Sequence, residues 1–387
     1  MNSNKKIIHR NKWIKHNFPV SWGAPTVIML IIILMLEGVN FAFWELWGSP
    51  RVPYHEQVEL VATLSSPDFR TWKDDLTMPD RELGWTSNPT HPNVSDDGAR
   101  EAEGQRSGTR IFAYGDSFVF GAEVENEQAF PYLLSQTIGT GVRNFGVGGY
   151  GPDQAILRLE RHLKEGQRPE WVILGMASES LARVVNIFRK LYIPAEIAHF
   201  VKPMFVESGG EWRIVNAVPD WPPTDIAVQT LVEATKLHDL WYVQNEKRPR
   251  FEFPYMVATF EAVTFFAFDV LRWQDLYRDE RTIATMTYVL ERFVHLSKNY
   301  RFHPIFVVFP NPEDLLRVQA NEPPHFEKFL EHVDRKFKDD MLIVRVLDRD
   351  IDLARFHVRP FGGHPSPYGQ RIIASAIAES LTPYFQK

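Results

Sequence analysis

From Thr26 to Leu36 the chain is an unbroken apolar run, and it continues less purely to Trp47, interrupted by Glu37, Asn40 and Glu45. A membrane span needs about 20 mostly apolar residues, and Ala24 to Trp44 supplies that length. Trp22 on one side and Trp44 and Trp47 on the other are placed as interfacial anchors. The pattern then loses its period. Residues 65–108 are rich in Pro, Gly, Ser, Asn and Asp around Ser87-Asn-Pro-Thr-His-Pro-Asn-Val-Ser-Asp-Asp-Gly98, the composition of a linker or an irregular outer layer. Regular alternation starts only afterwards. Short β-rich runs at Thr109–Tyr114, Val142–Phe145, Trp171–Met176, Pro304–Phe309 and Leu342–Leu347 predict strands. Helical spacing predicts helices at Gln128–Ile138, Asp153–Lys164, His325–Phe337 and Pro367–Leu381, with another long one ending near Asn299. Strands alternating with helices predict a parallel sheet covered on both faces. The gap between the third and fourth strands exceeds any simple crossover, so a mostly helical, aromatic insertion is expected at about 190–300.

The expected organisation is therefore a basic head (1–23), an anchor (24–47), a linker or irregular layer (48–108), and a sheet domain (109–383) containing the insertion. Charge sharpens the first two. Residues 1–22 carry Lys5, Lys6, Arg10, Lys12 and Lys15 and no acid. A Lys/Arg excess on this flank predicts a cytoplasmic N-terminus and an extracytoplasmic main domain. A cleaved signal peptide is the competing reading, but the bulky stretch Val39–Trp47 offers no small-residue cleavage site. The whole chain has 387 residues and a net charge of -6, which argues against nucleic acid as a partner. With no Cys, disulfides, thiolate metal sites and a Cys nucleophile are excluded. No H-E-x-x-H and no clustered His/Asp set suggests a metal, so neither metal nor cofactor is expected.

In a doubly wound sheet, ligands bind at the carboxyl ends of the strands. Gly115-Asp116-Ser117 follows the first strand, and Asn144-Phe-Gly146-Val-Gly148-Gly149-Tyr-Gly151-Pro152 follows the second. Ser178-Glu179-Ser180 follows the third, Pro310-Asn311-Pro312 the fourth, and Asp348, Asp350 and Asp352 the fifth, before His364 in a Gly/Pro-rich loop. The spacing Gly146-x-Gly148-x-x-Gly151 matches a dinucleotide fingerprint, yet it follows the second strand and lacks an acid about 20 residues on. A strand-to-helix turn without a ligand fits the same glycines. A serine placed like Ser117 can present its hydroxyl above the sheet with its own N–H free for an oxyanion. Equally, Ser117 reads as a helix cap, Asp116 as a turn former and His364 as a surface histidine.

Gly115-Asp-Ser117, Asn144-x-Gly-x-Gly-Gly149 and His364 before the last helix together resemble the SGNH (GDSL-type) hydrolase superfamily. The resemblance covers about 109–180 and 304–383. It implies a flavodoxin-like, doubly wound, five-stranded parallel sheet of the α/β class. It also implies Ser117 as nucleophile, Gly149 as an oxyanion N–H donor and His364 as general base. Two positions depart from the family's pattern. Phe361 stands where an Asp precedes the His, so a backbone carbonyl or an Asp from elsewhere, such as Asp348, has to orient His364. The third-block Asn is also absent, with Ser178, Ser180 or Asn186 as substitute donors.

The resemblance implies an acyl-ester hydrolase, with O-acyl (O-acetyl) esters of cell-surface or exported polysaccharide as substrate. The alternatives are an O-acyltransferase of the same fold and a non-catalytic polysaccharide-binding or assembly subunit beside export or modification partners. Trp212, Trp221, Trp241, Tyr242, Trp273 and Tyr277 are candidates for sugar stacking or for core. Arg183, Asn186 and Arg189 are candidates for a polar pocket or for a solvated face.

Overall fold

The structure, a computed structural model, describes residues 23–43, 58–104, 106–193, 199–250, 252–348, 351–358 and 363–385. The basic head, residues 44–57 and Phe361 lie outside the described residues. Helix α1 (Gly23–Phe43) is long and apolar enough to cross a membrane by length and composition, with a mean hydropathy of 2.3 over Pro25–Phe43. Its side chains from Val27 to Leu36 are exposed.

Residues 58–104 hold short helical turns at Leu60–Ser65 and Pro67–Arg70 and the antiparallel pair β1 (Thr77–Asp80) and β2 (Gly84–Ser87). They bury Leu64, Phe69, Leu83, Trp85 and Ala99 against the sheet domain. The sheet comprises β3 (Thr109–Gly115), β4 (Gly141–Gly146), β5 (Trp171–Ala177), β8 (His303–Phe309) and β9 (Leu342–Arg345). All its pairs are parallel, and the spatial order is β4-β3-β5-β8-β9. That is the flavodoxin-like order expected from the resemblance, with a topological switch point between β3 and β5.

Alternate strand residues feed two cores, as a period of two dictates for a sheet buried on both faces. Tyr114, Leu174 and Phe306 join one core, under helix α4 (Pro152–Lys164) and the insertion. Ile111, Ile173 and Val307 join the other, with α3 (Phe130–Ile138) and α11 (Pro367–Phe385) over it. The strands and these helices lie within a few residues of the positions expected from the hydrophobic pattern. Helix α4 opens at Pro152, whose missing N–H costs nothing at a first helical position.

After β5 a 3-10 segment, Ser178–Val185, leads into the insertion. This contains a hairpin, β6 (Met204–Ser208) and β7 (Glu211–Val215), that the helical reading did not include. Its helices are α5 (Asp225–His238), α6 (Leu240–Glu246), α7 (Tyr255–Thr264) and α8 (Glu280–Tyr300). Helices α9 (Pro312–Gln319) and α10 (Glu327–Phe337) flank the last strands. The buried Asp239 carboxylate caps α6 through Trp241 N and accepts from Asn186 Nδ2, Ile187 N and Phe188 N at 2.6–3.0 Å. Burial pushes this carboxyl up to about 6.

Candidate active site

The chain turns sharply at the end of β3 into a single helical turn, α2 (Ser117–Phe120). Asp116 is its cap: one carboxylate oxygen accepts from Phe118 N at 2.9 Å. The other accepts from Ala177 N at 2.7 Å and Ser180 Oγ at 2.5 Å, which ties the turn to the end of β5. Gly115 and Gly146, partners in register, let α2 lie directly on the strand ends. A Cβ at Gly146 would fall on the Phe120 backbone nitrogen, and one at Gly115 on the Gly175 carbonyl. Ser117 is thereby fixed at the carboxyl edge of the sheet, at the switch point.

His364 arrives at the same edge from the far end of the chain. The His364 Nε2 atom is 2.8 Å from Ser117 Oγ. Its loop is strapped by Val358 N to the His364 carbonyl (2.9 Å) and Ser366 N to the Phe356 carbonyl (2.8 Å), and its ring lies 5.4 Å from that of Phe118. His357, whose Nε2 is 3.0 Å from the Pro310 carbonyl, is held neutral behind this strap: burial depresses it to about 4.

On the other side of the imidazole, Glu123 Oε2 lies 3.3 Å from Nδ1. Nδ1 forms no aligned hydrogen bond among the described residues, so the carboxylate is close to the ring without the alignment that a hydrogen bond requires. Glu123 sits at φ 65, a left-handed conformation that costs a residue with a Cβ about 1–2 kcal/mol. Arg100 holds it there. The guanidinium donates to the Phe120, Gly121 and Val124 carbonyls at 2.5–2.7 Å, and Nε to Asn126 Oδ1 at 2.7 Å. Asp348, the orienting carboxylate considered from the sequence, is exposed at the end of the fifth strand. Glu123 was missed, and its one sequence signal is an acid in the loop directly after the Ser117 turn.

Gly149, in the loop after β4, has φ +80. Its carbonyl accepts from Arg189 Nη1 at 2.5 Å, and the preceding Gly148 carbonyl accepts from Trp85 Nε1 at 2.9 Å. The second bond polarises the peptide whose N–H belongs to Gly149. Among the described residues, neither the Gly149 N–H nor the Ser117 N–H donates to another group.

The three substitute donors considered for the missing Asn are all engaged elsewhere, because buried hydroxyls and amides are bound by nearby carboxylates and carbonyls. Ser178 Oγ bonds Asp314 and Asn311, Ser180 Oγ bonds Asp116, and the Asn186 amide bonds Asp239 and Phe188. Arg183 and Arg189 form neither a solvated face nor an open pocket. Both are buried and clamp the glycine loop through the Tyr150 and Gly149 carbonyls. Of the candidate stacking aromatics, Trp241 and Tyr277 are buried with their polar atoms bound to the Ala182 and Ser178 carbonyls. Trp212 is stacked on Tyr288 at 4.6 Å, Trp221 packs on Phe69 and Trp72, and Tyr242 packs on the larger core. Trp273 is half-buried beside His325. Among the described residues, no group of three His, Asp or Glu side chains is disposed to hold a metal ion.

No family model matches the chain, and no curated protein does. Several solved structures are similar to it. A proposed lipolytic protein of the G-D-S-L family from Desulfitobacterium hafniense is 14% identical, with a TM-score of 0.37 over 70% of this chain and 99% of its own. A member of the lipolytic protein G-D-S-L family from Veillonella parvula is 11% identical, with a TM-score of 0.34 over 70% and 97%. A catalytic mutant of an acetylxylan esterase from Geobacillus stearothermophilus is 14% identical, with a TM-score of 0.33 over 73% and 95%.

Proposed function

We propose that this chain is an SGNH-type serine hydrolase of acyl esters, held at a membrane by α1 with its sheet domain on the extracytoplasmic side. The observation that carries the reading is the 2.8 Å approach of Ser117 Oγ to His364 Nε2 at the carboxyl edge of a doubly wound sheet. Ser117 attacks the ester carbonyl while His364 Nε2 accepts its proton. The developing oxyanion is received by the Ser117 and Gly149 N–H groups. His364 then returns the proton to the departing alcohol, and water activated by the same imidazole releases the acyl group. Glu123 and not an Asp near the His supports the imidazolium. The substrate class is an O-acetyl ester on a surface or exported polysaccharide, following the sequence resemblance, and a sugar hydroxyl in place of water would make the same site a transferase.

The test is covalent labelling of the full chain by a fluorophosphonate probe, with acetate release from acetylated oligosaccharides measured in parallel. Wild type should label and Ser117→Ala should not. A wild type that neither labels nor releases acetate would leave the binding-subunit reading in its place.

Gly149→Ala addresses the oxyanion side. A Cβ there would lie 2.6 Å from Arg189 Nη1 and 3.3 Å from Trp85, at a φ that disfavours any side chain. Displacing that N–H is expected to lower kcat about 10²–10³-fold, the usual loss for one oxyanion donor, with KM on a small ester little changed. Steady-state kinetics on p-nitrophenyl acetate checks it.

A further inference from the structure

Helix α7, between α6 and α8 in the insertion, and its two flanks leave an apolar stripe bare, bordered by the exposed Glu261. Phe253, Val257, Phe260, Val263 and Phe268 follow one another at spacings of three to five residues, and all are exposed, Phe260 at 69% and Phe268 at 85%. The opposite face is small and buried, through Ala258 and Ala262. An exposed apolar stripe of this kind marks a contact surface.

What covers it is indicated by the neighbour of α7. This helix packs on α1, with the Phe41 and Tyr255 rings 5.0 Å apart. Glu37, the one acid in α1, is buried there and accepts from Tyr255 N at 2.5 Å and Met256 N at 3.3 Å. These are first-turn N–H groups of α7, which lack partners within their own helix and whose dipole favours an anion. Pro254, at the cap position, offers no side-chain acceptor. An ionisable residue inside a membrane span needs such a partner, because lipid supplies none. Glu37 lies six residues before the end of α1, about 9 Å inward at 1.5 Å per residue. The start of α7 is therefore carried to that depth, below the level at which a water-facing helix would sit.

We propose that α7 and the following Phe265–Asp269 turn are embedded in the outer leaflet beside α1, with the Phe260–Phe268 face against lipid acyl chains and Glu37 as the clasp between the two helices. The inference rests on α1 spanning the membrane.

Because the chain has no Cys, single cysteines report cleanly. Full-length Phe260→Cys, Phe268→Cys, Leu34→Cys and Asp339→Cys are labelled with bimane and reconstituted in phosphatidylcholine vesicles with and without brominated acyl chains. Leu34 marks the span, and Asp339 is exposed just before β9, at the amino edge of the sheet. Brominated lipid is expected to remove most of the fluorescence at 260, 268 and 34 and none at 339. Quenching at 34 alone would overturn the embedding of α7 and leave the span standing. No quenching at 34 would overturn the span and this inference with it. Quenching at all four positions would mean general adhesion of the domain, which also overturns it.

Discussion

Ser117→Ala is expected to take hydrolysis of p-nitrophenyl acetate down by about 10⁴–10⁶-fold, towards the rate without enzyme. In the proposed mechanism the hydroxyl oxygen forms the bond to carbon, and among the described residues the neighbouring serine hydroxyls are not placed to replace it. The Ser180 hydroxyl is tied to the Asp116 carboxylate and the Ser178 hydroxyl to Asp314. His364→Ala should fall to a similar level. The double variant should be no slower than either single one, since an attacking oxygen without its proton acceptor does nothing more than a missing one. The fold should be indifferent. The Ser117–His364 contact is one partly buried hydrogen bond, worth about 1 kcal/mol, so a melting temperature lowered by only a few degrees is expected. Retention of wild-type turnover by Ser117→Ala would refute the catalytic assignment.

Glu123→Gln is expected to reduce kcat by about 10²–10³-fold. Loss of the carboxylate behind a catalytic histidine can cost about 10⁴, and a smaller loss suits a carboxylate that is half exposed and 3.3 Å away. KM on a small ester should barely move, because the charged contact of Glu123 is with the imidazole. Glu123→Gly separates function from packing. It relieves the φ 65 conformation and should be more stable by about 1 kcal/mol, read as a higher melting temperature, while turning over as slowly as the glutamine variant. A purely structural Glu123 would give the opposite pairing, a lower melting temperature with kcat retained. An aspartate placed at Phe361 in the Glu123→Gln background should recover part of the lost rate.

The fold was readable because its elements are periodic. The five strands stand out as short β-rich runs, and α4 and α10 show a helical stripe of apolar residues. Ser117 stood out because it follows a strand end, where this topology gathers its ligands, and His364 because its place before the last helix resembles the family's pattern. What escaped is whatever depends on side chains meeting across the sequence. Nothing in Gly121-Ala-Glu-Val124 announces that a glutamate will occupy a left-handed position and face a histidine 241 residues later. The polar stretch before the sheet equally concealed Trp85 and Arg100, which brace the Gly149 peptide and the Glu123 loop from behind. Ser178, Ser180 and Asn186 looked available because sequence shows a hydroxyl or an amide, while the buried carboxylates of Asp314, Asp116 and Asp239 that bind them come from other segments.

The 247-residue interval between Ser117 and His364 sets a timetable. Synthesis from the N-terminal side delivers the Ser117 turn early, together with the strand that carries it. The His364 imidazole follows only after the whole insertion has been made. Helix α11 must then close the second face of the sheet, where Gln370 Oε1 takes the N–H of Phe130, before the two groups can meet. On the proposed function, the growing chain therefore carries a serine without its proton acceptor until that closing step.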